Sequence, residues 1–139
     1  MITGMSPYIV TNGNGQEAVK IYESVLGARI ENLQTFADLP ADANHSAPEG
    51  AKDLVLHAYL KIGEYDLMLS DNFPGSPYQV GDQVTIAIVF DDADESRVAF
   101  EKLSEGGKVD MPLQETFWSP LYGIVTDRFG ISWQISTER

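Results

Sequence analysis

The sequence predicts an α+β fold built from two tandem β-α-β-β-β modules. Three observations carry this reading. Two segments of the chain repeat one another, each contains an amphipathic helical stripe, and each stripe is followed by short, strand-like alternating runs.

In the first segment, Pro7 to Thr11 is a short β-type run, and a turn follows at Asn12 to Gly15. Ala18, Ile21, Tyr22, Val25 and Leu26 then recur at the spacing of a helix that lies on a sheet. Asn14 with Glu17 three residues later marks an N-cap, and Gly27 marks the stop. Arg29 to Phe36 reads as extended. Leu54 to Ile62 alternates, with Leu54, Leu56, Ala58, Leu60 and Ile62 on one face and Val55, His57 and Tyr59 on the other. Gly63-Glu64 reads as a hairpin turn that returns the chain through Tyr65 to Ser70. Ala37 to Ala51 lacks periodicity and reads as a loop. Asn72 to Asp82, with two prolines and two glycines, reads as the connection between modules.

The second segment runs in the same order. Thr85 to Phe90 is the first strand, and an acidic turn follows at Asp91, Asp92 and Asp94. Ser96, Ala99, Phe100 and Leu103 form the helical stripe, stopped at Gly106-Gly107. Val109 to Leu113, Tyr122 to Thr126 and Ser132 to Ser136 are the remaining strands. Glu17, Tyr22 and Glu23 fall on Glu95, Phe100 and Glu101. After a slip of one residue, Gly27, Arg29 and Ile30 fall on Gly106, Lys108 and Val109.

Composition excludes several classes of function. With 139 residues, one domain is the default. The absence of cysteine removes disulfides, thiolate nucleophiles and zinc–cysteine sites. Nine basic against 21 acidic residues, a formal charge of −12, argue against nucleic acid and against anionic lipid surfaces. The most apolar stretch, Val84 to Phe90, is far shorter than the roughly 20 residues that span a bilayer. No basic and apolar leader opens the sequence, so a cytoplasmic location is the expectation.

The repeat, with an Asp-x-x-Gly turn at Asp127 to Gly130 before the last strand, resembles the vicinal oxygen chelate superfamily of glyoxalases, extradiol dioxygenases and bleomycin-resistance proteins. Ser6-Pro7-Tyr8-Ile9, Met68-Leu69-Ser70-Asp71 and Gln114-Glu115-Thr116-Phe117-Trp118 before Val125-Thr126-Asp127 are similar to its PhnB-like branch, often labelled 3-demethylubiquinone 3-methyltransferase-like. The resemblance covers nearly the whole chain. It implies one glyoxalase-like domain over residues 1–139, with module one at about 5–72, the linker at about 73–82 and module two at about 83–137. It also implies mixed sheets curled into an open, barrel-like cup, usually in a homodimer. In metal-dependent members it implies four ligands, at positions held here by Pro7, Leu69, Thr85 and Gln134. None of these is a His or a carboxylate, the donors that a divalent ion prefers. No metal site is therefore expected, and a divalent ion held through His57 is the remaining metal option.

Candidate site residues follow from this frame. His57 reads either as a core histidine bonded to a tyrosine or the backbone, or as a general base or single ligand. His45 falls in the aperiodic loop. Trp118 and Tyr122 belong to an aromatic-rich segment with one carboxylate, Glu115, which either covers a ligand or packs an interface. Ser70-Asp71 offers a polar contact or a turn. Gly13-Asn14-Gly15-Gln16-Glu17-Ala18 matches a dinucleotide fingerprint, but its acidic counterpart Asp91 to Asp94 would repel phosphate.

Three functions remain. The first is a protein that holds a small organic ligand among His57, Tyr59, Ser70, Thr85, Trp118, Tyr122 and Gln134. The second is a metal-dependent lyase, isomerase or dioxygenase-type enzyme acting on a vicinally oxygenated substrate, with His57 as base or ligand and Glu115 as acid or base. The third is a structural or regulatory homodimer.

Overall fold

The computed structural model describes residues 1–39 and 50–139, which form two compact units, Met1–Tyr78 and Gln79–Arg139. The first unit contains β1 (Tyr8–Thr11), α1 (Gly15–Leu26), β2 (Arg29–Thr35), a single 3-10 turn (Phe36–Asp38), β3 (Val55–Ile62) and β4 (Tyr65–Asp71). The second contains β5 (Ile86–Phe90), α2 (Ala93–Ser104), β6 (Lys108–Gln114), β7 (Tyr122–Thr126) and β8 (Ser132–Thr137). Each unit is thus one β-α-β-β-β module with a four-stranded mixed sheet, ordered β1-β4-β3-β2 and β5-β8-β7-β6. In each sheet the first strand is parallel to the last, and the other pairs are antiparallel.

Helix α2 buries Ser96, Ala99, Phe100 and Leu103, the stripe that periodicity predicts. Its first turn is capped by Asp92, whose carboxylate accepts from the Asp94 amide. Helix α1 differs in two details. Its buried residues are Gly15, Ala18, Val19 and Tyr22, while Ile21, Val25 and Leu26 are only half-buried. Asn14 occupies the N-cap position but makes no side-chain capping bond. That work falls to Asp71, 56 residues away in sequence, which receives the Gly15 amide at 2.9 Å. Gly27 ends the helix in the left-handed region at φ 67°, as glycine at that position permits.

One side of each sheet packs against its helix. In module one that side carries Ile9, Thr11, Val55, Ala58, Leu60, Leu67, Leu69 and Asp71, all buried. Val55 lies here rather than beside His57, which corrects the alternation read from sequence. The cause is a β-bulge: Gln34 pairs with His57 but Thr35 pairs with Val55, so Leu56 is an extra residue and the faces switch. In module two the helix side carries Val125, Trp133, Ile135 and Thr137. The end of the last strand ties down the helix in both modules: Asp71 binds the Gly15 amide, and the Thr137 hydroxyl meets Ser96 Oγ at 2.6 Å.

The expected loop from Ala37 to Ala51 begins with the 3-10 turn, and His45 lies outside the described residues. No helix among the described residues is long and apolar enough to cross a membrane.

Candidate functional site

Because strand residues alternate, each sheet also has a helix-free face, and the polar residues collect there. In module two, β7 and β8 pair so that Ile124 faces Gln134 and Tyr122 faces Ser136. The Tyr122 hydroxyl donates to Gln134 Oε1 at 2.7 Å, and Gln134 Nε2 donates to Thr85 Oγ1 at 2.8 Å. Thr85, Gln134 and Tyr122 therefore form one hydrogen-bonded relay across the sheet. Trp118 meets Tyr122 edge-on, with ring centroids 5.1 Å apart, and Phe117 meets Trp118 in the same way at 4.7 Å. Phe117 is 89% and Trp118 51% exposed, so this ladder is not core packing.

The loop that carries the ladder is pinned at its base. Ser119 is 1% exposed; its hydroxyl has the carbonyls of Leu121 and Thr137 within reach of its single proton, at 2.9 and 2.7 Å, and accepts from the amides of both residues. Thr116 and Ser119 close a tight turn across the two aromatics. Glu115 lies just before this turn, at the exposed end of β6.

In module one the helix-free face holds His57, Tyr59 and Ser70, together with Tyr8, Lys61, Asp66 and Met68, which the sequence reading missed. Tyr8 Oη lies 3.2 Å from His57 Nδ1, and the two rings stack with centroids 5.9 Å apart. The Tyr59 hydroxyl donates to Asp66 Oδ1 at 2.7 Å, and Lys61 Nζ reaches that same oxygen at 2.7 Å. Lys61 is held above its ordinary value, first by its hydrogen bond to Asp66 and then by that to Tyr59. Asp66 is held below the usual carboxylate range, first by Lys61 and then by Tyr59. The alternating charges on β3 and β4 could have signalled Lys61 and Asp66, but the Tyr8–His57 pair spans 49 residues and has no local signature.

The two modules can be compared by register. The Asn72 amide donates to the Thr11 carbonyl and the Glu138 amide to the Phe90 carbonyl, so Thr11 matches Phe90; Leu69 pairs with Ile9 and Ile135 with Ile88, so Leu69 matches Ile135 and Met68 matches Gln134. The implied ligand position Leu69 is thus corrected: it is fully buried on the helix side, and Met68 is the residue on the free face. By the same register Ala58 matches Gly123, which sets His57 on Tyr122.

The buried Asp71 carboxylate is bonded within the chain. Its Oδ1 accepts from the Thr11 hydroxyl and the amides of Gly13 and Gly15, and its Oδ2 accepts from the Val55 amide. The glycine motif at the start of α1 is therefore filled by the chain's own carboxylate. Asp127 acts similarly in the turn before β8, accepting from the Phe129 and Ile131 amides and from the Trp133 indole.

Comparison with known proteins adds the family frame. The model described as Glyoxalase/Bleomycin resistance protein/Dioxygenase superfamily matches residues 4–135. Protein YjdN of Escherichia coli (strain K12) is 33% identical over 138 residues, covering 95% of this chain and 93% of that protein. The crystal structure of protein PA1353 from Pseudomonas aeruginosa superposes with a TM-score of 0.87 at 37% identity, covering 99% of this chain and 98% of that one. The PhnB protein of Bacillus cereus superposes with a TM-score of 0.80 at 21% identity, over 97% and 99% of the two chains, a likeness of fold.

Proposed function

The chain belongs to the glyoxalase/bleomycin resistance protein/dioxygenase superfamily, and we propose that it holds a small organic ligand on its helix-free sheet faces, without a divalent metal. The observation that carries this reading is the Thr85–Gln134–Tyr122 relay. Thr85 and Gln134 stand at two positions where the family resemblance implies metal ligands. Gln134 instead has its amide oxygen and nitrogen both committed to neighbours, and neither side chain is a strong donor to a divalent ion. In module one Pro7 and Leu69 have no side-chain donor atom, and Met68 offers only a soft thioether. The residues present do not fit the metal.

They do suit a planar organic molecule. Trp118 and Tyr122 supply apolar area with fixed geometry, and the amide and hydroxyls beside them supply orientation. Module one's own face offers polar contacts of its own at His57, Tyr59 and Ser70, and a homodimer is the expected assembly.

A screen of planar small metabolites on chelator-treated protein, read by thermal shift and by tryptophan emission, tests this. A binder that raises the melting temperature, perturbs emission, and is weakened at least tenfold in Trp118→Ala and Gln134→Ala supports the reading. Turnover that requires an added metal and is abolished by His57→Ala or Glu115→Gln would replace it with the enzyme reading. A face that binds nothing in the screen would favour the structural homodimer.

A further inference from the structure

Within module one, among the described residues, His57 and Ser70 are neighbouring polar groups on the helix-free face with hydrogen-bonding capacity to spare; Asn32 and Gln34, opposite Tyr59 and His57, lie on the more exposed strand β2. Lys61 and Tyr59 are both tied to Asp66 Oδ1. His57 engages Tyr8 through Nδ1 alone, and Ser70 gives only its backbone carbonyl, to Thr11. The β3–β4 ladder ends at Ala58↔Leu69, and His57 and Ser70 are the next residues on the two antiparallel strands, at the point where Tyr122 pairs with Ser136 in module two. Both modules thus place a polar ring next to a serine at the same point of the sheet.

The Tyr8 contact decides what His57 offers. A neutral imidazole has one donor and one acceptor nitrogen, and the partner of one nitrogen sets the role of the other. A phenol is a better donor than an imidazole N–H, and an imidazole nitrogen is a better acceptor than a phenol oxygen. On that ground Tyr8 would donate to Nδ1, which would leave the ring proton on Nε2. Resting on the ligand-binding reading above, we propose that His57 Nε2–H and the Ser70 hydroxyl form a two-donor subsite for a carbonyl or carboxylate oxygen of the ligand, with Tyr8 as the positioning residue that fixes the tautomer. In this arrangement His57 gives a hydrogen bond and does not act as a base.

The test uses the nitrogen-15-labelled full chain at about pH 8.5, above the ordinary imidazole range. Two-bond proton–nitrogen correlations read the His57 ring, and a His45→Ala background removes the other imidazole. The expected result is a protonated Nε2 and an acceptor Nδ1, with Tyr8→Phe relaxing the ring towards a mixture of tautomers. Benzoate and benzamide, which carry an acceptor oxygen, should shift the His57 Nε2 resonance saturably, and Ser70→Ala should weaken both by roughly tenfold. Benzamidine, of the same shape but without that oxygen, should leave the ring unmoved. A proton on Nδ1, or benzamidine acting as strongly as benzoate, overturns the proposal. So does a His57 ring unmoved by both acceptor probes. In that case a shift of the Trp118 indole signal would leave the ligand-binding reading standing, and its stillness would count against both.

Discussion

At Gly13 and Gly15 the chain's own Asp71 carboxylate takes the place that a phosphate would need, so a sequence match to a nucleotide motif becomes an internal staple. Three backbone amides and one hydroxyl depend on that carboxylate. Asp71→Ala should destabilise the protein by about 3 kcal/mol or more, since each buried donor left unpaired costs about 1–3 kcal/mol. Urea unfolding would show this as a lower midpoint with an unchanged slope. Gly15→Ala should cost about 1–3 kcal/mol by overpacking, because a Cβ there would lie 2.7 Å from Asp71 Oδ2 and 2.9 Å from Val55. Gly13 faces open space with φ 94°, so Gly13→Ala should cost only the strain of that backbone, about 1–2 kcal/mol. The Lys61–Asp66 pair titrates differently. Asp66 is lowered, so the pair is intact above the usual carboxylate range and is lost only as pH falls through the depressed value. Lys61 is raised, so its share is complete below the ordinary lysine range and is lost as pH rises beyond it. A carboxyl NMR titration should find Asp66 ionised throughout pH 5–9, and a midpoint inside that range would contradict the pairing.

At the scale of elements, the aromatic loop and the two central strands determine the site. Ser119 holds the base of the loop that presents Phe117 and Trp118. Ser119→Ala leaves the Leu121 and Thr137 amides without that acceptor, and a loss of about 1–3 kcal/mol is expected. The emission of Trp118 should shift red as its edge contact with Tyr122 loosens, and an unchanged spectrum would mean that the loop is held elsewhere. How much of this was readable from sequence varied with the range of the interactions. Helix α2 was read to the residue, because its four buried positions are all small or apolar at helical spacing. Strand β3 was misread at Val55, because a bulge at Leu56 leaves no mark in an alternating sequence. Thr85, Tyr122 and Gln134 could be placed on one face by alternation and repeat. The bond from Tyr8 to His57 and the role of Asp71 could not, because all their partners but Val55 lie 49 to 60 residues away and only the folded sheet brings them together.

For the whole molecule, duplication explains the architecture, and divergence between the copies explains the chemistry. Both modules keep a parallel first and last strand, a helix on one side and a polar ring beside a serine on the other. Module two carries a neutral relay flanked by aromatics, with the Lys108–Asp110 pair at Thr126 beyond it, while module one carries His57 and the Lys61–Asp66 pair. The central claim, that these faces bind an organic ligand and not a divalent ion, is tested most directly by thermal unfolding of chelator-stripped protein in nickel, zinc, manganese, cobalt and ferrous ions. Metal-free binding predicts no rise in melting temperature with any ion. An ion at a hundred times its dissociation constant for the native state would add about 2.7 kcal/mol. A rise of that size, abolished by His57→Ala, would contradict the claim and return the protein to the metal-dependent members of its family.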